Sequence, residues 1–395
     1  MKNQKVPSEK GFGAFLARLL GHEKWNVITV PAFTIILTLI TSSIFLLILG
    51  KNPITAFYSF LAGNGFAAKS SYGAGTGMMS DFFSFLNIMA PMLLAALSFI
   101  FAYRCGLFNI GIAGQMLAAG FVATILAGYS QYPAIAAKPL VIMIGIVVGG
   151  LLGAFVGFLK YKFNIHEVVS TIMINYIISY LTGFYINRDY VDSITRSSKI
   201  CSAASRLTFM KVNIGGYYCN VPLGIILAIL MAFVVKFIFD RTVFGFELRA
   251  VGSNRNAATY AGVNVGSRIV MSMMLSGILA GLAGVTYYLG YTNTIIPKTL
   301  AGMGYDAIAT ALLGNNTPLG AIFASLLITI FQNGSNYMSS MLGVAKEIAS
   351  VITGILLLFS ACSGYFRYLA KRRLDRIADE KHALEKAEKK GGADR

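Results

Sequence analysis

An all-α bundle of transmembrane helices, polytopic and with about ten membrane segments including one short or broken helix, is the fold this sequence predicts. Three observations predict it. Hydrophobic residues make up 56% of the 395 residues and charged residues only 12%, whereas a soluble domain carries roughly 25% charge. Mean hydropathy is +0.67. The apolar residues are also gathered into runs long enough to span a bilayer, separated by short polar stretches.

Taken in order, residues 1–25 are polar and basic, with Lys2, Lys5, Lys10, Arg18 and Lys24 against Glu9 and Glu23. The first apolar run, 26–50, is too long for the core of a signal peptide and reads as a retained helix. The positive-inside rule then places the N-terminus in the cytoplasm. Residues 51–84 follow outside, rich in Gly and Ser and poor in charge. Further spans are expected at 85–103, 107–128, 140–159, 167–187, 222–239, 268–290, 318–338 and 346–362. The segment 304–313 is too short to cross as an ordinary helix. It must cross as a short helix covered by protein or form a re-entrant hairpin, because broken backbone is tolerated only where protein or a cavity covers it.

Charge fixes the parity. From Arg367 onward the tail carries ten Lys/Arg against six Asp/Glu, which belongs inside. Ten crossings with both termini cytoplasmic satisfy this. The external loop 188–221 breaks the charge rule, with five Lys/Arg against two Asp, as longer loops are free to do. Its Cys201 and Cys219 are either free thiols or, on an oxidising face, a disulfide. The histidines His22, His166 and His382 are scattered, and no Cys/His cluster has metal-ligand spacing, so no metal site is expected.

The stretch 241–268 organises the cytoplasmic side. It carries Arg241, Arg249, Arg255 and Arg268 against Glu247 alone, so it is a basic loop. Ser253-Asn254 can cap a short helix over 255–261 that Gly262 stops. Such a helix is too short to hold alone in water and needs a surface to rest on.

Inside the apolar runs, Gly145, Gly149, Gly153 and Gly157, and again Gly277 and Gly281, recur at four-residue steps. This spacing lets helix backbones approach closely in lipid. Polar residues there are costly and therefore informative. Asn109, Gln115 and Asn175, with Asn87 at the start of its span, carry neutral donors and acceptors, and Tyr176 a flat ring. They suit a neutral solute with hydrogen-bonding edges, and they equally suit hydrogen bonds between helices. Glu167, beside His166 at a helix start, favours the helix dipole and reads as structural. Asp306 and Glu347 are the only other acids near membrane depth.

Five motifs in order carry a resemblance: GLFNIGIAGQ at 106–115, EVVSTIMINY at 167–176, LRAVGSN at 248–254 continuing through Ala257, Ala258 and Gly262, SGILAGLAG at 276–284 and IATALLG at 308–314. Together they resemble the integral-membrane permeases of ABC importers, in the branch shared by ribose-type sugar and branched-chain amino-acid importers. The wording is most similar to the nucleoside (guanosine-type) permeases. Ile112-Ala113 and His166 depart from the family pattern. The resemblance implies a permease domain over 26–363, a cytoplasmic coupling loop over 240–267 and a basic cytoplasmic tail over 364–395. It implies a pathway at Asn87, Asn109, Gln115, Asn175 and Tyr176. ATPase coupling falls to Arg249, Gly252, Asn254, Ala257, Ala258 and Gly262.

The resemblance also implies partners: an ABC ATPase, a second homologous permease (a heterodimer), an extracellular substrate-binding lipoprotein and the lipid of a bacterial cell membrane, with no nucleic acid. No G-x-x-x-x-G-K-[ST] occurs, so nothing here cradles ATP phosphates. No cofactor is expected in this chain, and ATP binds the partner ATPase. The competing readings are a permease for ribose-like sugars or branched-chain amino acids, an ion-coupled secondary transporter using Asp306 and Glu347, and a membrane enzyme. The last lacks any nucleophile–base pair. The topology is open to labelling: cysteine at Gly262 should react only from the cytoplasmic side and cysteine at Thr195 only from outside, and either result reversed overturns ten crossings.

Overall fold

The computed structural model describes residues 26–343 and 345–393; the basic segment 1–25 lies outside the described residues. Each of the ten apolar runs contains a helix. The first half of the chain gives α1 (Asn26–Ile48), α2 (Pro53–Gly63), α3 (Met78–Arg104), α4 (Ile112–Ala123), α5 (Ala134–Phe163) and α6 (Glu167–Tyr185). A hairpin of β1 (Thr208–Ile214) and β2 (Tyr217–Pro222) follows. The second half gives α7 (Leu223–Arg241), α8 (Val243–Ser253), α9 (Arg255–Tyr260), α10 (Val265–Thr286), α11 (Met303–Leu313), α12 (Pro318–Leu342), α13 (Lys346–Ala361) and α14 (Ser363–Ala393).

Among the described residues, six helices are long and apolar enough to cross a membrane: α3, α5, α6, α7, α10 and α12. The pair Ser350–Ala361 and Ser363–Asp379, bent by 43°, makes a seventh if it is one span. Three shorter apolar helices, Ala32–Ile48, Ile112–Gly128 and Met303–Leu313, complete the set read from the sequence. This is a multi-pass membrane protein. Its exterior fits lipid: α1 buries Val30, Thr34, Thr38, Ser42 and Leu46, one every four residues, and turns Ile36, Ile40 and Ile44 outward. That is the reverse of a soluble amphipathic helix.

The expectation of an all-α chain fails in one place. The segment 188–221 is closed by the two-stranded antiparallel hairpin, whose Gly215 and Gly216 have φ of +59° and +88°. Two successive positive φ values make the tight turn that hairpin twist prefers, and glycine adopts them without strain. The stretch 51–84 is not featureless either. Asn52 caps α2 by accepting from the Ile54 N–H at 2.9 Å, and α2 packs on α12 by setting Gly63 and Gly334 against side chains. Cys201 and Cys219 are free thiols. Cys201 lies 3.8 Å from the Thr124 hydroxyl while Cys219 sits opposite Val212 in the hairpin. Burial pushes both thiols up, away from the reactive thiolate.

The core is organised around α3 and α10. The most apolar window of α3 is 94% buried, against 28% for the peripheral α7. Against α10 lies α5, and here the recurrent glycines meet. A side-chain carbon on Gly149 would lie 2.8 Å from the Gly281 Cα, and one on Gly153 would lie 3.0 Å from the Gly277 Cα. Backbone touches backbone along the whole crossing, as small residues allow in lipid. Gly150, one position round the helix, would meet side chains alone, Ile278 Cγ1 at 3.0 Å and Met274 Cγ at 3.9 Å. The contrast is testable by thermal unfolding of the purified protein. Gly149→Val and Gly277→Val should each destabilise by about 1–3 kcal/mol or more, whereas Gly150→Ala should stay within about 1 kcal/mol; equal effects at both faces would refute the assignment.

Candidate translocation site

The backbone leaves helical geometry between α3 and α4. Gly106 turns it with φ +72°, and the residues up to Gly111 run without helix into α4. Gly111 at the start of α4 supplies no side-chain cap, so the first N–H groups of that helix need partners from elsewhere. The amides provide them. Asn109 Oδ1 accepts from the Gly111 N–H at 2.9 Å. Asn175, reaching across from α6, accepts from the Gly114 N–H at 2.9 Å and donates to the Ile110 carbonyl at 3.0 Å.

Asn109 Nδ2 also donates to Gln115 Oε1 at 3.1 Å and to Ser276 Oγ at 2.9 Å. Ser276 is tied in turn to Ser98 on α3. Asn109 and Gln115 are fully buried and Asn175 is 2% exposed. These three residues come together round the N-terminus of α4, where they satisfy broken backbone at membrane depth. Their structure is that of a helix cap, and Gln115 Nε2 alone has no hydrogen-bond partner among the described residues.

The other two pathway candidates lie apart. Asn87 sits near the opposite end of α3, donating to the Gly290 carbonyl at 3.1 Å and accepting from Thr208 Oγ1 at 3.2 Å. It fastens the hairpin to the end of α10. Tyr176 is 58% exposed on the outer face of α6, in line with Met173 and Tyr180. Glu167 opens α6 in an ion pair with Lys160 at 3.0 Å, and His166 caps the helix by accepting from the Val168 N–H.

A site the sequence reading passed over lies among α10, α11, α12 and α13. A cleft of about 410 Å³ is lined by Tyr287, Tyr291, Met303, Asp306, Gln332, Asn333, Asn336 and Thr353. Its volume is in the range of small-molecule sites. Tyr287 to Tyr291 form a single π-turn that ends α10 and aims two rings at the cleft, 5.9 Å apart at 51°. Gln332 Nε2 donates to Asp306 Oδ2 at 2.6 Å. Asn333 is tied to the end of α2 through the Gly63 carbonyl at 3.1 Å and Asn64 at 3.0 Å. The signal was present in the sequence: Ser325, Thr329, Gln332 and Asn336 step along one face of α12 at helical spacing.

On the other side of the bundle, α8 and α9 follow α7. Asn254 caps α9 by accepting from the Ala257 N–H at 3.1 Å, and Gly262 beyond it has φ +82°, so the short helix lies where the sequence placed it. The preceding α8 was not foreseen. It is capped by Thr242, whose Oγ1 accepts from the Gly245 N–H at 3.0 Å, and is held to the start of α10 by Glu247–Arg268 at 2.6 Å. Gly252 presses on the Gly106 turn: a side-chain carbon there would lie 3.0 Å from the Gly106 N. Arg249 and Asn254 are exposed. Of the two alanines, Ala257 is exposed and Ala258 is 3% exposed, buried against this chain, while Tyr260 projects 94% exposed. Nearby, Arg104 donates to the Asn316 carbonyl at 2.8 and 3.0 Å and Arg367 to Asn315 Oδ1. They pin the turn between α11 and α12, where Asn315 and Asn316 both take positive φ.

The branched-chain amino acid transport system permease component is the family whose model matches residues 82–361. The chain belongs to this permease family. It is 36% identical to the guanosine ABC transporter permease protein NupP of Bacillus subtilis (strain 168), over 86% of this chain and 94% of the relative. It is 32% identical to the nucleoside ABC transporter permease protein NupB of Lactococcus lactis subsp. cremoris (strain MG1363), over 86% and 92%. A second Bacillus subtilis guanosine permease protein, NupQ, is 29% identical over 66% of this chain and 83% of its own length.

The amide cap of α4 holds the helix break closed, and the cleft offers flat rings and hydrogen-bonding edges. Asn109→Ala and Asn175→Leu should each lower stability by about 1–3 kcal/mol, because each leaves buried N–H or carbonyl groups unpaired. Tyr176→Ala should change stability by no more than about 0.5 kcal/mol. Thermal unfolding in detergent checks both, and unchanged midpoints for the two asparagine variants would remove the capping role.

Proposed function

We propose that this chain is the permease subunit of an ATP-driven ABC importer and forms a membrane pathway for nucleosides. The observation that carries the reading is the similarity, above 30% identity and across nearly the full length of each relative, to two permeases named for guanosine and nucleoside transport. The cleft supports it chemically. Its lining is neutral except for Asp306 and combines tyrosine rings with amides and hydroxyls, which suits an uncharged solute with a flat base and a polyhydroxyl ring.

A second homologous permease completes the pathway in this reading. Two guanosine permeases of one organism, NupP and NupQ, are both similar to this chain, which favours a heterodimer. ATP is bound and hydrolysed on a separate ATPase, and an external lipoprotein delivers the solute. The ten helical segments run as ten crossings of a bacterial cell membrane with both termini cytoplasmic. The basic loop holding α8 and α9 then faces the cytoplasm, as does the basic tail. There α9 presents Arg255, Asn256, Ala257 and Tyr260 outward and couples the permease to the ATPase through Gly252 and the Gly106 turn. Ala258 serves that role from inside, as the residue that seats α9.

The test is uptake into proteoliposomes holding this chain, the second permease, the ATPase and the binding lipoprotein. Guanosine accumulates only with ATP and continues when a protonophore is added; collapse under the protonophore while ATP is held sinks the reading in favour of ion coupling. Ala257→Asp leaves the complex assembled yet lowers solute-stimulated ATP hydrolysis by at least about tenfold, since an acid buried without a partner in the ATPase groove is costly. Full stimulation in that variant removes α9 from coupling.

A further inference from the structure

We propose that the cleft beside α12 is a base-reading subsite in which the Asp306 carboxylate selects nucleosides whose ring edge carries two adjacent N–H donors, as guanine does. The inference rests on the nucleoside reading and adds the group that tells one base from another.

Asp306 is the anchor. It lines the cleft in the first turn of α11, and no Lys or Arg forms an ion pair with it among the described residues. A carboxylate at membrane depth without a cation is expensive and marks a working site rather than a structural pair. Gln332 takes one lone pair of Oδ2 and fixes the rotation of the group, which leaves that oxygen a second lone pair to accept with. Oδ1 has no hydrogen-bond partner among the described residues. An ionised carboxylate accepts and cannot donate, so the complement of this edge is a pair of N–H groups.

Guanine supplies that complement through its ring N1–H and its 2-amino group, side by side, and two parallel charge-assisted bonds give direction as well as strength. Adenine sets a ring-nitrogen lone pair at the same place and meets the carboxylate with repulsion. The rest of the lining agrees. The Asn336 amide, exposed on α12, has donors for the guanine carbonyl, and Tyr287 and Tyr291 provide faces on which the bicyclic ring rests. Discrimination of this kind comes from leaving the wrong base unpaired in a buried polar site.

The test uses the complete complex of both permeases, the ATPase and the binding lipoprotein, with dicyclohexylcarbodiimide, which attaches to carboxyl groups within membranes, and mass spectrometry of the Asp306 peptide. Guanosine should slow the modification of Asp306 by about tenfold. Adenosine and 1-methylguanosine, which lacks the N1–H, should leave it unchanged. Equal protection by all three, protection by none, or an Asp306 that never reacts overturns the proposal. ATP-driven guanosine uptake measured on the same preparation separates the two levels. Uptake without protection overturns the subsite and leaves the nucleoside reading standing, and a complex that carries no nucleoside overturns both.

Discussion

Backbone contact between α5 and α10 is the constraint on which the rest of the fold depends. In lipid there is no hydrophobic drive to bring two apolar helices together, so close packing must supply the attraction. Glycines at 145, 149, 153 and 157 remove the side chains that would hold the axes apart from α10 at Gly277 and Gly281. Once α10 is seated, its other faces fall into place. Ser276 reaches Ser98 on α3 and Asn109 before α4, and Gly284 lets α4 approach at Met116. Its π-turn ending carries Tyr287 and Tyr291 to the cleft. One helix thus links the amide cap against its middle with the aromatic wall at its end.

Much of this was legible from the residues. Ten apolar runs were each enough to place a helix, because a membrane segment is long and uniform and its signal does not depend on what it packs against. The cap Asn254 and the stop Gly262 were equally readable, being local chemistry. What escaped was short and decided by contact. The helix α2 is eleven residues whose place is set by packing on α12. The hairpin β1–β2 is fixed by Gly215-Gly216 and by Thr208 bonding to Asn87 and the Gly290 carbonyl, partners that are distant in sequence.

The polar residues show the same division more sharply. Composition correctly marked Asn109, Gln115 and Asn175 as out of place in an apolar run. It could not say whether their bonds went to a solute or to backbone, because that depends on the unwound turn at Gly106 and on which N–H groups of α4 lacked partners. The cleft was missed for the opposite reason. On α12 the polar residues are diluted among Leu, Ile and Phe, so the run reads as apolar. Only their common helical face, together with Asp306 arriving from the preceding helix, turns them into a wall.

The contact of Gly252 with Gly106 has a mechanical consequence. Where side chains intervene between a connecting segment and a helix bundle, their rotamers can take up a displacement before it travels further. Here main chain rests on main chain, so the joint has no slack. In the coupling role proposed for α9, a push on it would pass through α8 to the Gly106 turn, and from there to the backbone that Asn109 and Asn175 hold against α4. In that role the joint would act as a rigid strut, with the amide clasp the first element to yield.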